Sequence, residues 1–189
     1  MIKLGLTLAA YAVASCTVLA IVNNITAPVI ARNQQAKADS GMKAVFEKAE
    51  TFEEPSQPFD YSSNSITVDT LKLAKARDKV IGAVIQVTGP TYDHSTIVVG
   101  MDTEGTITGM KYLENTDTPG FGQKGSDPTF TLPSGKTFYG QFTGKKVTEG
   151  FVPGSTFDAI SGATITSNGI ANLMTEATKA MSAALEANK

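Results

Sequence analysis

The chain has 189 residues, 16 basic and 18 acidic side chains and a formal charge of −2, a length that suits one ordinary domain plus an appendage. No basic stripe marks a nucleic-acid footprint, so nucleic acid is not an expected partner. The single cysteine, Cys16, and the single histidine, His94, lie far apart in the sequence, which excludes a disulfide framework and makes a His/Cys metal site implausible; no metal is expected.

The appendage comes first. No charged residue occurs from Leu4 to Ala31, and Leu4 to Val22 is a run of 19 mostly apolar residues. A helix of roughly 20 residues spans the bilayer core with its backbone groups satisfied internally. Three readings compete: a permanent anchor, a cleaved signal peptide, and a lipoprotein signal, because Val13-Ala14-Ser15-Cys16 is similar to a lipobox. The apolar run continues past Cys16 to Val22, which favours an anchor, assigned here to residues 1–31. Lys3 flanks one side of the span, and Arg32, Lys37, Lys43 and Lys48 follow on the other. Counted literally, these charges put the following domain in the cytoplasm. The leader is too short to count, and Asp39, Glu47 and Glu50 dilute the far side, so charge alone leaves the side open.

Pro28 is expected to end or kink the span. From about residue 29 to 50, Ile30, Ala36, Met42, Val45, Phe46 and Ala49 recur at helical spacing. Pro55, Pro58 and the segment Asp60 to Ser65 predict a loop, so residues 32–65 form a helical linker and loop, and residues 66–189 a domain. Lys79–Thr88 and Ser95–Met101 have strand composition, and Asp102–Gly105 is the turn of a hairpin into Thr106–Asn115. Residues 116–136 are loop-like. Thr137–Phe142 is a short strand or helix. Ser167–Leu185 is the closing helix, with Ile170, Leu173, Met174, Ala177, Met181 and Leu185 on one side. Strands followed by helices without regular alternation predict an α+β fold: one N-terminal transmembrane helix, then an antiparallel sheet flanked by helices.

Two loops could carry chemistry. In Asp158–Ser167, the structural reading makes Thr166 or Ser167 the N-cap of the last helix and Ser161-Gly162 the turn before it. The functional reading uses the same geometry: a helix N-terminus offers free N–H groups and a positive dipole end to a phosphate, and Gly162 and Ala163 leave room for it. In Asp117–Lys124, the plain reading is a Pro-Gly turn. The functional reading is a wall for a flat ring, with Gly120 and Gly122 removing side chains, Phe121 adding apolar area and Lys124 adding a charge for an anion.

Together with the span, these loops resemble a known family. The chain looks like the G subunit of the Rnf electron-transport complex and, more distantly, the C subunit of the sodium-translocating NADH:quinone oxidoreductase. Both carry an FMN-binding domain whose flavin is joined to threonine. The family's Asp-x-x-Ser/Thr-Gly-Ala-Thr motif is complete as Asp158-Ala159-Ile160-Ser161-Gly162-Ala163-Thr164. Its Glu-Thr-Pro-Gly-Leu-Gly stretch with a nearby Lys reads Asp117-Thr118-Pro119-Gly120-Phe121-Gly122-Gln123-Lys124, and its Phe-x-Gly-Lys stretch is Phe142-Thr143-Gly144-Lys145. The chain departs from the pattern at Asp117, at Phe121, and in Gly89 to Thr96, which replaces a Gly-Tyr-Gly-like stretch.

The resemblance implies that Thr164 carries FMN through the flavin's 5′-phosphate. It implies FMN contacts at Asp117, Thr118, Pro119, Gly120, Phe121, Gly122, Lys124, Ser161, Gly162, Ala163, Ile165 and Thr166. It assigns Asp158 to recognition of the attachment motif. It further implies attachment by a separate magnesium-dependent flavin transferase using FAD, and a single-pass inner-membrane protein with its flavin domain outside the cytoplasm. The role implied is electron relay between ferredoxin and NAD in an ion-translocating complex, beside membrane subunits that include another flavin carrier. No acid/base constellation for substrate chemistry is visible, so a complete reaction by this subunit alone is not expected. A membrane sensor using the same flavin domain is the alternative, and a flavin-free adhesion or scaffold domain a third reading.

Overall fold

A computed structural model describes residues 2–58, 61–63 and 65–188. Asp60 and Asn64 of the expected Asp60–Ser65 loop lie outside them. The chain divides into two units, residues 1–37 and 38–189.

From Ile2 onward the first unit is helical and belongs to α1, Ile2–Val45. Leu4, Leu6, Leu8, Val13, Val18 and Leu19 are all exposed, so α1 presents apolar side chains all round through Leu4–Val22 and is long enough to cross a membrane. Its threonine hydroxyls are satisfied within it: Thr7, Thr17 and Thr26 donate to the carbonyls of Lys3, Val13 and Val22 at 2.9, 2.7 and 2.9 Å. Pro28 does not end the helix, as the sequence suggests it could; it lies inside α1. A proline removes one donor from the ladder, but the neighbouring turns keep theirs and the helix runs on past it to Val45.

The second unit is a five-stranded antiparallel meander, β1 (Thr51–Glu53), β2 (Thr67–Ala76), β3 (Lys79–Pro90), β4 (His94–Asp102) and β5 (Ile107–Asn115), paired in chain order. Both faces of the sheet are covered. Alternate residues Ala83, Ile85 and Val87 of β3 and Ile97, Val99 and Met101 of β4 pack against α2 (Thr164–Ala187), whose Ile170, Leu173, Met174, Ala177 and Met181 are fully buried. The intervening Val84 and Val98 meet Ala38, Met42, Val45, Phe46 and Ala49 on the opposite face. Double coverage explains why β3 and β4 are near-continuous apolar runs rather than alternating ones. Gly109 admits the end of α1 closely, since a Cβ there would lie 2.9 Å from the Val45 Cα. Beside it, the Thr108 hydroxyl donates to the Val45 carbonyl at 2.6 Å.

The expected hairpin across Asp102–Gly105 is present, with Gly100 opposite Gly109 and Met101 opposite Ile107. A second hairpin has no counterpart in the sequence reading. β2 pairs with β3 from Thr67↔Thr88 to Ala76↔Lys79. Its two-residue turn, Arg77-Asp78, has φ of 49° and 61°, the positive values of a type I′ turn without the usual Asn-Gly pair.

Residues 116–163 contain single turns of 3-10 helix, at Gly122–Gly125, Gly140–Phe142 and Val147–Glu149, and isolated bridges such as Thr131 to Thr137 and Pro153 to Phe157. The second turn falls in the segment expected to be a short strand or helix. An aromatic cluster anchors this long connection: Phe142 lies 5.8 Å from Phe138 and 5.0 Å from Phe157, centroid to centroid. Lys145 extends its ammonium to the Thr156 carbonyl. The backbone N–H of Ile107 donates to the Lys145 carbonyl at 2.9 Å. The Phe142–Lys145 stretch therefore ties the segment leading to the Asp158 loop onto the sheet.

Candidate flavin site

A cavity of about 410 Å³ is lined by Tyr92, Thr118, Phe121, Gly122, Gly162, Ala163, Thr164, Ile165 and Thr166, within the roughly 300–1,000 Å³ of small-molecule pockets. It brings the two loops singled out in the sequence to one place. Thr164 is the first residue of α2 and is exposed. Its hydroxyl makes no hydrogen bond within the protein among the described residues. The helix therefore begins two or three residues before the expected cap. The actual N-cap is Ala163, which supplies no side-chain acceptor, and the first turn holds no acid. The first N–H groups of α2 and the positive end of its dipole are available to an anion.

Thr166 and Ser167, the hydroxyls expected to cap α2, are buried and engaged elsewhere. Ser167 Oγ donates to the Ala163 carbonyl at 3.1 Å and accepts from the Ile160 N–H at 3.0 Å. This closes the Ile160–Ala163 turn, where Gly162 has a φ of 77° that other residues rarely adopt. Thr166 Oγ1 donates to Asp117 Oδ2 at 2.6 Å.

Asp117 is fully buried behind the cavity wall and does not line the cavity. Besides Thr166, it accepts from Thr91 Oγ1 at 2.6 Å and from the Asp93 N–H at 2.9 Å, both at Oδ1. Burial pushes its carboxyl upward. The Asp93 N–H, the Thr166 and Thr91 hydroxyls and the Tyr92 N–H outweigh that and hold it below the usual carboxylate range. Gly122 is required here, because a Cβ would clash with Thr166 Oγ1 and fall 2.6 Å from Asp117. Nearby, the Tyr112 hydroxyl is buried with no partner among the described residues; burial first, and the Asp117 charge second, raise its pKa.

Of the other residues singled out in the sequence, Pro119, Gly120, Lys124, Ser161 and Asp158 do not line the cavity. The Lys124 ammonium lies 5.6 Å from the centre of the Phe130 ring. Asp158 has an exposed side chain on a fixed backbone, since Gln141 accepts from its N–H at 2.7 Å and donates to its carbonyl at 3.1 Å. Tyr92 is a lining residue that sequence reasoning missed; it lies in the stretch that departs from the family pattern.

The arrangement suits a flat, apolar ligand with an anionic end. Tyr92, Phe121 and Ile165, exposed by 64, 54 and 59%, are three of the few large apolar side chains of the domain left open. They surround the uncapped helix end. Tyr92 is the one ionisable side chain among the lining residues, so the cavity holds no carboxylate, imidazole or amine to activate the Thr164 hydroxyl.

The chain is similar to known proteins over most of its length. The profile of the FMN-binding domain family matches residues 91–179, and that of the RnfG N-terminal region matches residues 1–45. The chain is 30% identical over 191 residues to the G subunit of the ion-translocating oxidoreductase complex of Escherichia coli O157:H7, covering 93% of this chain and 88% of that one. It is 28% identical over 186 residues to the G subunit of the Na(+)-translocating ferredoxin:NAD(+) oxidoreductase complex of Acetobacterium woodii, covering 89 and 85%. For the G subunit of the ion-translocating oxidoreductase complex of Vibrio vulnificus the identity is 28% over 177 residues, covering 87 and 81%.

Proposed function

The chain belongs to the G-subunit family of ion-translocating oxidoreductase complexes, and on that premise we propose that it is a membrane-anchored flavoprotein that holds FMN as a phosphate ester of Thr164 and relays electrons within such a complex. The observation that carries the reading is the uncapped start of α2. It presents an unengaged threonine hydroxyl and free N–H groups at the mouth of an apolar cavity.

The chain's own residues divide the work. The first turn of α2 receives the phosphate, and Gly162 and Ala163 keep side chains out of its way. Phe121, Ile165 and Thr118 form walls for the ring. Asp117 and Thr166 hold the ring loop against the helix from behind. When bound, the flavin supplies reversible electron transfer, and the protein sets its position and surroundings. The cavity's lack of a base beside Thr164 supports attachment by a separate flavin transferase, and Asp158, exposed on a pinned backbone, is a group that such an enzyme can read. The electron partners are the membrane subunits of the complex, including a second flavin carrier. α1 crosses the inner membrane once through Leu4–Val22, with the flavin domain on the extracytoplasmic side.

Intact mass and in-gel fluorescence of the denatured chain, produced with its transferase, test the attachment. Thr164→Val should lose the FMN mass and the fluorescence entirely. Thr166→Val should keep both, because Thr166 serves Asp117. A Thr164→Val chain that still carries covalent flavin would refute the assignment.

A further inference from the structure

We propose that Tyr92 is a wall of the flavin site, its phenol lying against the isoalloxazine ring; the proposal rests on the reading that FMN is attached at Thr164. Three observations lead to it. Tyr92 lines the same cavity as Thr164, Phe121 and Gly162. Its side chain is 64% exposed, and its hydroxyl takes no hydrogen-bond partner among the described residues, so the protein itself does not use the ring. The backbone that carries it is nevertheless held on both sides. Thr91 and Asp93 both bond the buried Asp117 carboxylate, at 2.6 and 2.9 Å. The turn is also pressed onto α2, where a Cβ on Gly169 would fall 2.7 Å from the Pro90 carbonyl and from the Thr91 Cα.

An exposed aromatic on an immobilised turn is a costly arrangement for a surface residue and an economical one for a ligand wall. A ring placed by fixed backbone loses little conformational entropy when a second ring meets it. Offset or edge contacts between aromatic rings contribute beyond area burial. Asp117 is then a positioning residue for three walls: the Tyr92 turn through Thr91 and Asp93, the Thr118–Gly122 loop through its own backbone, and α2 through Thr166.

The experiment reads flavin fluorescence of the full-length, FMN-loaded protein in detergent, folded and then denatured, for wild type, Tyr92→Phe and Tyr92→Leu. A phenol in contact with the photoexcited ring gives it one electron and takes it back, quenching emission with no net chemistry. Phenylalanine cannot donate that electron, although it keeps the ring shape. The wild type should emit weakly when folded and brighten several-fold on denaturation. Both variants should emit several-fold more strongly than wild type when folded, and Tyr92→Phe, which keeps the stack, should retain the wild-type visible circular dichroism better than Tyr92→Leu. Intact mass is measured on every sample. A full FMN mass with wild-type emission in both variants overturns the Tyr92 proposal and leaves attachment at Thr164 standing. A wild-type chain without the FMN mass overturns both.

Discussion

Asp117 is one carboxylate on which three segments of the site depend. Its bonds to Thr91, Asp93 and Thr166 are 2.6–2.9 Å long, and those to Thr91 and Thr166 are buried. Charge-assisted bonds of this kind are roughly twice as strong as neutral ones. Asp117→Ala would leave the Thr166 hydroxyl and the Asp93 N–H without an acceptor and leave Thr91 only the Ser95 hydroxyl at 3.2 Å; orphaned donors cost about 1–3 kcal/mol each, so a loss on the order of 3 kcal/mol is expected. The pH dependence follows from the direction of the shift. A carboxyl held below its unfolded value contributes stability that is fully present above the unfolded pKa, about 3.9, and is lost as pH falls through the lower folded value. Thermal unfolding of the full chain in detergent should therefore show a falling midpoint on acidification below the ordinary carboxylate range. Asp117→Asn should be less stable at neutral pH and should lack that part of the acid dependence. Parallel curves for the two proteins would show that Asp117 does not couple folding to protons.

Among the elements, the turn between β2 and β3 makes a separate stability prediction. Asp78 is exposed with a φ of 61°, a conformation that glycine adopts without strain and β-branched residues resist. Asp78→Gly should stabilise the domain by about 0.5–1 kcal/mol, and Asp78→Val should destabilise it by more than that. Chemical denaturation midpoints of the two variants, moving in opposite directions, would confirm the turn; a shared direction would refute it. This turn also explains what the sequence did not disclose. β3, β4 and β5 were legible because their β-branched runs are bounded by a Gly-containing hairpin turn. β2 was not, because Arg77-Asp78 carries no Gly or Asn to mark the reversal, and its pairing with β3 supplies the missing information. The start of α2 was misplaced for a related reason. Thr166 and Ser167 have the chemistry of caps, but tertiary partners at Asp117, Ile160 and Ala163 claim their hydroxyls. The attachment motif and the Thr118–Gly122 loop were readable as local patterns. That they share a cavity, that Asp117 lies behind its wall, and that Tyr92 joins it are consequences of the sheet bringing residues 91–93, 117–122 and 160–166 together.

At the scale of the whole chain, two arguments about the side of the membrane that receives the flavin domain oppose each other. The helix through Leu4–Val22 is apolar on all sides, and at about 1.5 Å per residue it matches a hydrocarbon core of about 30 Å. The charge flanking it argues one way: Lys3 stands before the span, and Arg32, Lys37, Lys43 and Lys48 stand after it. Literal counting would retain the second unit in the cytoplasm. The family reading argues the other way, and three observations reduce the weight of the count. The leader offers one side chain and the terminal amine. Asp39, Glu47 and Glu50 lie among the following lysines. Lys43 and Lys48 lie in the folded second unit, not in a free flanking loop, and folded domains translocate with less regard to charge than short loops. A cysteine-labelling experiment separates the two. Cys16 is the sole cysteine, so Cys16→Ser gives a background without thiols, and Ser134→Cys places one on an exposed turn of the flavin domain. A membrane-impermeant maleimide should label that thiol in intact spheroplasts to the same extent as in lysed ones. Labelling confined to the lysed sample would put the flavin domain in the cytoplasm and would require its electron partners to be sought there.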